Sequence, residues 1–265
     1  MDFTNKIVWI TGASSGIGEA LASELVTRGA KIIISSPEVD KLKAISDRFN
    51  ALRPGSAIVV PLDFLKSDEI PGIVENVIKQ AGRIDILINN AGISQRALAV
   101  ETPVEVDRKV FEINYFGAIT LTKSVLPHMI KNGGGTIAVT SSIVGKFGFP
   151  LRSAYSASKH ALHGFFETIR LEHKKENINV TIICPGRIKT DISINALTNE
   201  GKPYGTMDDG QAKGMPTEKC ARKIVNAISR KKKEVYVGGN EILMVYLKKY
   251  FPNIFYLISS KINPT

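Results

Sequence analysis

Near its N-terminus the chain reads Thr11-Gly12-Ala13-Ser14-Ser15-Gly16-Ile17-Gly18, directly after the apolar run at residues 6–10. A β-branched run followed by closely spaced glycines predicts a strand, a tight turn and the start of a helix. Backbone without Cβ atoms lets an anion approach the N–H groups at a helix N-terminus. The GxxxGxG spacing departs from the GxGxxG dinucleotide fingerprint. A turn alone explains a lone glycine cluster, so the interpretation depends on the rest of the chain.

The alternation of strand and helix continues along the chain. Strands are predicted at residues 6–10, 31–35, 57–62, 84–89, 135–141, 179–184 and 234–238, and helices at 16–28, 38–52, 67–80, 103–131, 152–176 and 217–229. This pattern predicts an α/β fold, a doubly wound, seven-stranded parallel sheet of Rossmann-like form with helices on both faces. We interpret residues 1–265 as a single domain, with 191–216 as a substrate loop or lid and 240–265 as an apolar C-terminal segment.

Composition narrows the classes of function. The chain has 35 basic and 25 acidic residues, a formal net charge of +10, 43% hydrophobic residues and a mean hydropathy of +0.02, which excludes disorder. The basic residues are scattered, and the one dense run, at 230–233, is typical of a solvated turn before a strand. No aromatic and basic recognition module accompanies the charge, so we predict no nucleic-acid partner.

Cysteine usage and the apolar segments bear on the compartment. The two cysteines, Cys184 and Cys220, lack a metal-like spacing and fit a reducing compartment. A first strand beginning at residue 6 leaves no room for a signal peptide, so we expect a cytoplasmic protein. The apolar stretches near the C-terminus are interrupted by Lys248, Lys249 and Pro252, and none has the roughly 18 apolar residues of a spanning helix.

A second motif, Ala154-Tyr155-Ser156-Ala157-Ser158-Lys159, sets a tyrosine and a lysine four residues apart. Residues at i and i+4 share one helix face, so the ammonium can lie near the phenol and favour its ionised form. Because a free phenol has a pKa of about 10, such a neighbour makes it useful as a base near neutrality. The arrangement suits proton transfer at an alcohol oxygen while a hydride leaves or reaches the carbon. The YxxxK spacing alone is a common accident on amphipathic helices.

Further polar residues lie where predicted strands end. Asn89-Asn90-Ala91-Gly92 either admits a cofactor or forms an Asn-Gly turn. Asp63 either accepts a hydrogen bond from an adenine amino group or is a helix N-terminal acid. Pro185-Gly186, with Thr190 beyond, offers a kinked strand end and a hydroxyl, or a simple turn. Asn114 is an amide inside a predicted apolar helix, where it needs a partner or a role.

The four histidines give no metal site by sequence. His160 and His163 are at i and i+3, a spacing that metals use, but no neighbouring carboxylate or thiol completes a ligand set. We interpret His128, His160, His163 and His173 as packing or surface residues and predict no metal.

Together these motifs resemble the short-chain dehydrogenase/reductase family in its single-domain form, in order and spacing over residues 11–186. The resemblance implies an NAD(P)-dependent oxidoreductase that interconverts a secondary alcohol and a ketone or aldehyde. It implies Tyr155 as general acid/base, Lys159 as the residue that lowers its pKa and holds the nicotinamide ribose, and Ser142 as the donor that polarises the substrate oxygen. Asn114 matches the position that supports a water relay from Lys159. Ser142, thirteen residues before Tyr155, fits the family spacing, whereas Ser141 does not.

The resemblance also implies a cofactor site. The matching positions are Gly12, Ser14, Gly16, Ile17, Gly18, Ser36, Asp63, Asn90, Ala91, Gly92, Tyr155, Lys159, Pro185, Gly186, Ile188 and Thr190. Hydride transfer from the pro-S face of the nicotinamide is the family's usual pattern. The alternative interpretation is a cofactor-binding sensor or scaffold protein of the same fold without significant turnover.

The choice between NAD and NADP depends on the end of the second strand, Ile34-Ser35-Ser36-Pro37, which carries no charge. An acid there would bind the adenosine 2′-hydroxyl and repel a 2′-phosphate. Its absence, the serine hydroxyls and Lys41 favour NADP, while Glu38 and Asp40 keep NAD open.

Two apolar regions predict partners. The C-terminal segment is either a pair of short helices that close the pocket or pack on another subunit, or an interfacial anchor that touches a membrane peripherally. Both alternatives indicate a lipophilic carbonyl or alcohol substrate, as in family members that handle steroids and retinoids. The helices at 103–131 and 152–176 carry more apolar residues than one sheet face covers, which predicts a homodimer or homotetramer.

Overall fold

The computed structural model describes residues 1–262 and confirms the predicted fold class. All seven strands are parallel and lie in one sheet in the order β3-β2-β1-β4-β5-β6-β7. The strands are β1 Ile7–Thr11, β2 Lys31–Ser35, β3 Ala57–Val59, β4 Ile86–Asn89, β5 Gly135–Thr140, β6 Ile178–Pro185 and β7 Glu234–Val237. From β1 the chain adds strands toward one edge of the sheet, and from β4 onward it adds them toward the other edge. This change between β1 and β4 leaves a crevice above their carboxyl ends.

Helices cover both faces of the sheet. They are α1 Gly16–Thr27, α2 Val39–Leu52, α3 Ile70–Ala81, α4 Val104–Phe111, α5 Gly117–Lys131, α6 Ser153–Glu172, α7 Asp209–Ala212, α8 Thr217–Ser229, α9 Leu243–Tyr250 and α10 Pro252–Ser259. The alternation of side chains along β1 divides the core. Val8 and Ile10 pack with α1 and α8 on one face, whereas Trp9 packs on the other with residues of α5 and α6 such as Leu121 and Phe166.

The predicted helix at 103–131 is interrupted. A π-helical turn, Glu112–Phe116, separates α4 from α5 and contains the fully buried Asn114. The side-chain oxygen of Asn114 accepts a hydrogen bond from the Ile93 N–H (2.8 Å), and its amide donates to the Ile93 carbonyl (2.9 Å). The wider turn aims the amide at the loop after β4, and π-turns are frequent at functional sites.

Other elements differ from the prediction in extent. Strand β3 ends at Val59, three residues early, and α6 spans Ser153–Glu172 inside the predicted 152–176. The predicted loop at 191–216 contains the short helix α7 and pairs with the loop after β4 through Gln95 and Leu197.

The C-terminal segment forms two short helices, α9 and α10. Phe255 and Val245 are buried in a cluster with Phe147 and Tyr155, so the pair packs beside the predicted catalytic residues. Residues 263–265 of the predicted segment lie outside the described part of the chain. Across residues 1–262, no helix combines the length and the apolar character that crossing a bilayer requires.

Candidate active site

A cavity of about 610 Å³ lies at the carboxyl ends of the strands, as the topology requires. It contains nearly every residue that the sequence predicted for the site. The predicted residues that line it are Gly12, Ser14, Gly16, Ile17, Ser36, Asp63, Asn90, Ala91, Gly92, Ser142, Tyr155, Lys159, Pro185, Gly186, Ile188 and Thr190. The two exceptions, Gly18 and Asn114, lie behind this wall and support it.

The glycine-rich loop between β1 and α1 is shaped for close approach. Gly12 has φ +63° and Gly16 has φ +58°, a left-handed conformation that favours glycine. A Cβ on Gly12 would lie 2.7 Å from the Ala91 Cα, and one on Gly18 would overlap the Gly12 carbonyl oxygen. The loop is therefore packed against the Asn90-Ala91-Gly92 segment, and its bare backbone faces the cavity at the start of α1. This arrangement fits a pyrophosphate at a helix N-terminus.

The rim of the cavity at the end of β2 carries Ser14, Ser36, Glu38 and Lys41. The Ser14 hydroxyl donates to the Glu38 carboxylate (2.7 Å), and Lys41 forms an ion pair with the same carboxylate. These contacts lower the pKa of Glu38, with the bond from Lys41 as the largest cause and that from Ser14 next. Glu38 therefore points toward the serines that the sequence analysis assigned to an adenosine phosphate. Asp63 lies nearby and accepts a hydrogen bond from the Leu65 N–H (3.0 Å).

Tyr155 and Ser142 meet at the opposite end of the cavity. Ser142 follows β5, and its hydroxyl is hydrogen-bonded to Tyr155 and lies 3.3 Å from the Pro185 carbonyl oxygen. Burial raises the pKa of Tyr155, while the bond to Ser142 and the positive charges of Arg96 and Arg152 act in the opposite direction. A buried phenol holds its proton firmly, so Ser142 and the two arginines, which lower the pKa of Tyr155, decide how readily the phenol ionises.

Lys159 lies one helical turn beyond Tyr155 and is 3% exposed. Its ammonium donates to the Thr140 carbonyl (2.8 Å) and lies 5.7 Å from the centre of the Tyr155 ring. Burial lowers the pKa of Lys159 to about 8. Lys159 was expected to lower the pKa of Tyr155, but the pKa of Tyr155 is raised overall. Burial dominates, and the ammonium faces the Thr140 carbonyl.

Asn114 and Lys159 approach each other across Gly92. A Cβ on Gly92 would lie 3.0 Å from the Asn114 side-chain oxygen and 3.1 Å from the Lys159 ammonium. The Asn114 amide also donates to Ser158 (3.0 Å), on the same helix as Lys159. Asn114 therefore holds the loop after β4 against the helix that carries Tyr155 and Lys159.

Three charged residues near Tyr155 were missed by the sequence analysis. Arg96, Arg152 and Asp208 form a buried ion-pair cluster on the cavity wall. They come from three separate loops, 112 residues apart between Arg96 and Asp208, so no local spacing announces them.

His163 also has neighbours that the sequence did not indicate. Donor atoms of His163, Cys184 and Glu234 lie within 4.8 Å of one another, so the expectation that no thiol or carboxylate joins His163 was wrong. Strands β6 and β7 bring them together beside α6. Lys146 forms an ion pair with Glu234 at 2.6 Å, and burial lowers the pKa of His163 to about 4 and raises the pKa of the Cys184 thiol. The cluster is thus a neutral imidazole and a neutral thiol beside a carboxylate that already has a cation.

Comparison with known proteins identifies the family. The family model for short chain dehydrogenases matches residues 6–201. Dehydrogenase/reductase SDR family protein 7-like from Drosophila melanogaster is 42% identical over 260 residues, covering 97% of this chain and 80% of that protein. Human dehydrogenase/reductase SDR family member 7 is 39% identical over 266 residues, covering 98% of this chain and 78% of that protein.

Solved structures share the fold. A short chain dehydrogenase/reductase from Burkholderia phymatum in complex with NAD has a TM-score of 0.85 at 21% identity, covering 100% of this chain and 99% of that chain. An alcohol dehydrogenase from Thermococcus sibiricus complexed with 5-hydroxy-NADP has a TM-score of 0.76 at 23% identity, covering 89% and 97%. With the family match over residues 6–201 and relatives at about 40% identity over nearly the whole length, the chain belongs to the short-chain dehydrogenase/reductase family of oxidoreductases.

Proposed function

We propose that this protein is an NAD(P)-dependent oxidoreductase that acts on a lipophilic substrate and interconverts a secondary alcohol and a ketone, or a primary alcohol and an aldehyde. The observation that carries the proposal is the meeting of Tyr155, Ser142 and Lys159 in one cavity with the glycine-rich loop. When bound, the dinucleotide supplies or accepts the hydride. The bare loop at the start of α1 would hold its pyrophosphate, and Lys159 its nicotinamide ribose.

The side chains supply the proton chemistry. In reduction, Tyr155 gives its phenolic proton to the substrate oxygen, and Ser142 donates a hydrogen bond to that oxygen as negative charge develops there. In oxidation, the Tyr155 phenolate takes the proton from the alcohol. Burial of Tyr155 and Ser142 keeps this proton transfer away from bulk water.

The apolar side chains that line the cavity beyond Tyr155 favour a lipophilic substrate. Val144, Phe147, Phe149 and Met244 line this part of the cavity, which extends from the end of β5 to helix α9. The apolar part of a substrate would be removed from water here, and each Å² of apolar surface buried would contribute about 25 cal/mol of favourable binding free energy.

We favour NADP over NAD as the cofactor. The Ser35-Ser36 segment has no acidic side chain that would repel a 2′-phosphate, and Lys41 lies on the same rim of the cavity. Glu38 is the opposing feature, since its carboxylate faces Ser14. Binding of a 2′-phosphate therefore requires Lys41 and the serine hydroxyls to outweigh Glu38.

A substrate panel tests the function and the cofactor together. We expect hydrophobic ketones or secondary alcohols to produce turnover, followed by the absorbance of the reduced cofactor, with NADPH binding more tightly than NADH by fluorescence titration. Glu38→Gln should raise the preference for NADPH further, and exposed Asp40→Asn is the matched control. Tight cofactor binding without turnover of any carbonyl or alcohol would favour a sensor or scaffold role. Tighter NADH binding would assign the specificity to Glu38 or Asp40, and the two variants would then distinguish these acids.

We also propose a homodimer or homotetramer, supported by exposed apolar side chains on the helices that the sequence analysis singled out. Val104, Phe116 and Leu171 are exposed on α4, the π-turn and α6. A helix-to-helix interface between two copies would cover them. A concentration-independent monomer in light scattering would reject this assembly.

The helices α9 and α10 support a reversible contact with a membrane surface. Tyr250, Phe251, Tyr256 and Leu257 are each more than half exposed, and Lys248 and Lys249 accompany them. Aromatic side chains beside lysines suit a headgroup boundary, and each nearby cation contributes about 1 kcal/mol at an anionic surface. Met244 on helix α9 lines the cavity, so contact of the two helices with a membrane would deliver lipophilic substrates to the cavity entrance.

We expect co-sedimentation with vesicles of phosphatidylcholine and phosphatidylserine that weakens as salt is raised. The double substitution of Phe251 and Leu257 by serine should reduce the bound fraction several-fold, because it removes two of the inserted apolar groups. Val100→Ser is the control, since Val100 is 91% exposed but lies outside helices α9 and α10. Equal binding by both variants, or none by the parent protein, would restrict the two helices to pocket closure or subunit contact.

A further inference from the structure

Two guanidinium groups and one carboxylate form a buried cluster beside Tyr155. The Asp208 carboxylate accepts hydrogen bonds from the Nε (3.1 Å) and Nη2 (2.5 Å) atoms of Arg96 and from the Nη2 atom (3.0 Å) of Arg152. The side chains of Arg96, Arg152 and Asp208 are 4%, 11% and 7% exposed. Arg152 also lies over the Phe149 ring, 5.1 Å from its centre, and takes part in further contacts. Charges this deeply buried interact strongly with one another and with their neighbours.

The cluster is fixed in register with Tyr155. Arg152 immediately precedes α6 and stands three residues before Tyr155, about one helical turn. The residue before Arg96, Gln95, accepts a hydrogen bond from the Ala154 N–H (2.9 Å), which ties its loop to the first turn of α6. Asp208 is held from the other side by Ser193, whose hydroxyl accepts from the Asp208 N–H (3.2 Å).

The charged and titratable groups around Tyr155 come from several elements. Lys159 lies on the same helix, but its ammonium donates to Thr140. Strand β6 contributes Cys184, which lies near Lys159 and not beside the phenol, and whose thiol is kept neutral because burial raises its pKa. The loop after β5 contributes the neutral hydroxyl of Ser142. The loop after β4, the start of α6 and the loop at 191–216 contribute the Arg96–Asp208–Arg152 cluster.

We propose that Arg96 and Arg152 are positioning residues that stabilise the phenolate of Tyr155 through their positive charge, and that Asp208 limits this effect. The proposal deepens the proposed function, because the phenolate is the base in alcohol oxidation and forms when the phenol gives its proton in reduction. The two arginines act on the acid/base group without contacting the reacting atoms.

The electrostatics of both partners agree with this assignment. Arg96 and Arg152 each lower the pKa of Tyr155 against the effect of burial. Burial and the charge of Arg96 lower the pKa of Arg152 to about 10, while Asp208 and Tyr155 raise it. An ionised Tyr155 therefore stabilises the charged form of Arg152, and the interaction is reciprocal.

Substitutions in the cluster should shift the pKa of Tyr155 in opposite directions. Arg152→Met removes a positive charge and should raise it by about one unit, whereas Asp208→Asn removes a negative charge and should lower it by about one unit. Arg152→Lys keeps the charge and should restore most of the wild-type value. Arg222→Met, an exposed substitution on α8, controls for the loss of net charge.

The experiment is a titration by NMR of the full-length protein, with and without NADP⁺, in which tyrosines carry ¹³C at the ring carbon that bears the hydroxyl. The chain has seven tyrosines, and the resonance missing from Tyr155→Phe identifies Tyr155. Thermal unfolding of each variant confirms that it folds. The pH dependence of kcat/KM for alcohol oxidation should follow, with its rising limb at higher pH for Arg152→Met and at lower pH for Asp208→Asn.

Two kinds of result would overturn the proposal. One is a Tyr155 pKa that is the same in Asp208→Asn, Arg152→Met and the wild type, and the other is a shift in the same direction in both variants. A structural role would lower the unfolding temperature without opposed shifts. If Arg152→Met does not fold, Asp208→Asn still decides, since an unchanged or raised pKa contradicts the proposal. The NMR result stands apart from the proposed function, which fails if no carbonyl or alcohol is turned over.

Discussion

Tyr155→Phe should lower kcat and kcat/KM about 10²–10⁴-fold while the fold and cofactor affinity persist, because the variant lacks only the hydroxyl that transfers the proton. The Tyr155 ring is buried among Ile143, Val144 and Phe147, and phenylalanine fills the same space. The loss should appear in kcat as well as in kcat/KM, since proton transfer belongs to the transition state.

Tyr115→Phe is the matched control for this loss. Its ring packs against Phe111 and Phe165, and Tyr115 does not line the active-site cavity. Turnover of a verified substrate and affinity for NADPH should be measured for both variants. Near-wild-type turnover by Tyr155→Phe would remove Tyr155 from the acid/base role, and the assignment of the reaction would need another proton donor.

The parts of the site that sequence reasoning predicted well are those fixed by local structure. The glycine-rich loop is a strand end followed by a helix start, and parallel strands bring all such ends to one edge. Predicting the seven strands was therefore enough to bring Gly16, Asn90 and Ser142 into one cavity. The YxxxK spacing needed only the helical repeat, which α6 confirms.

The parts that were missed depend on contacts between distant segments. The π-turn at Asn114 adds one residue to a helical turn, and a helical hydrophobic pattern hardly registers that difference. Its stabilising bonds reach Ile93 and Ser158, far away in sequence. The cluster of Arg96, Arg152 and Asp208 similarly joins three loops whose pairing no periodicity encodes.

Lys159→Met should abolish most turnover and at the same time stabilise the fold. The folded-state pKa of Lys159 is about 8, below its ordinary value of 10.5, because burial penalises the ammonium. A lysine whose pKa is lowered on folding destabilises the folded state by up to about 3 kcal/mol. The full cost applies below pH 8, where the lysine is charged in both the folded and the unfolded state, and it disappears as the pH rises toward 10.5. Methionine removes this cost but leaves the Thr140 carbonyl without its donor, which costs about 1–3 kcal/mol. The net gain at pH 7 should therefore be up to about 2 kcal/mol.

The decisive feature of this last prediction is its pH dependence. The difference in the free energy of unfolding between Lys159→Met and the wild type should be most positive at pH 7 and should fall and change sign between pH 8 and 10.5. The wild-type lysine becomes neutral over this range, while the variant still lacks the hydrogen bond to Thr140. Urea denaturation at a series of pH values measures it, and exposed Lys219→Met, on α8, should show no such trend. A difference that is constant with pH would mean that the ammonium is not the source of the cost. A gain in stability together with lost turnover would instead show that the fold keeps a destabilising buried charge where the proposed chemistry requires a cation.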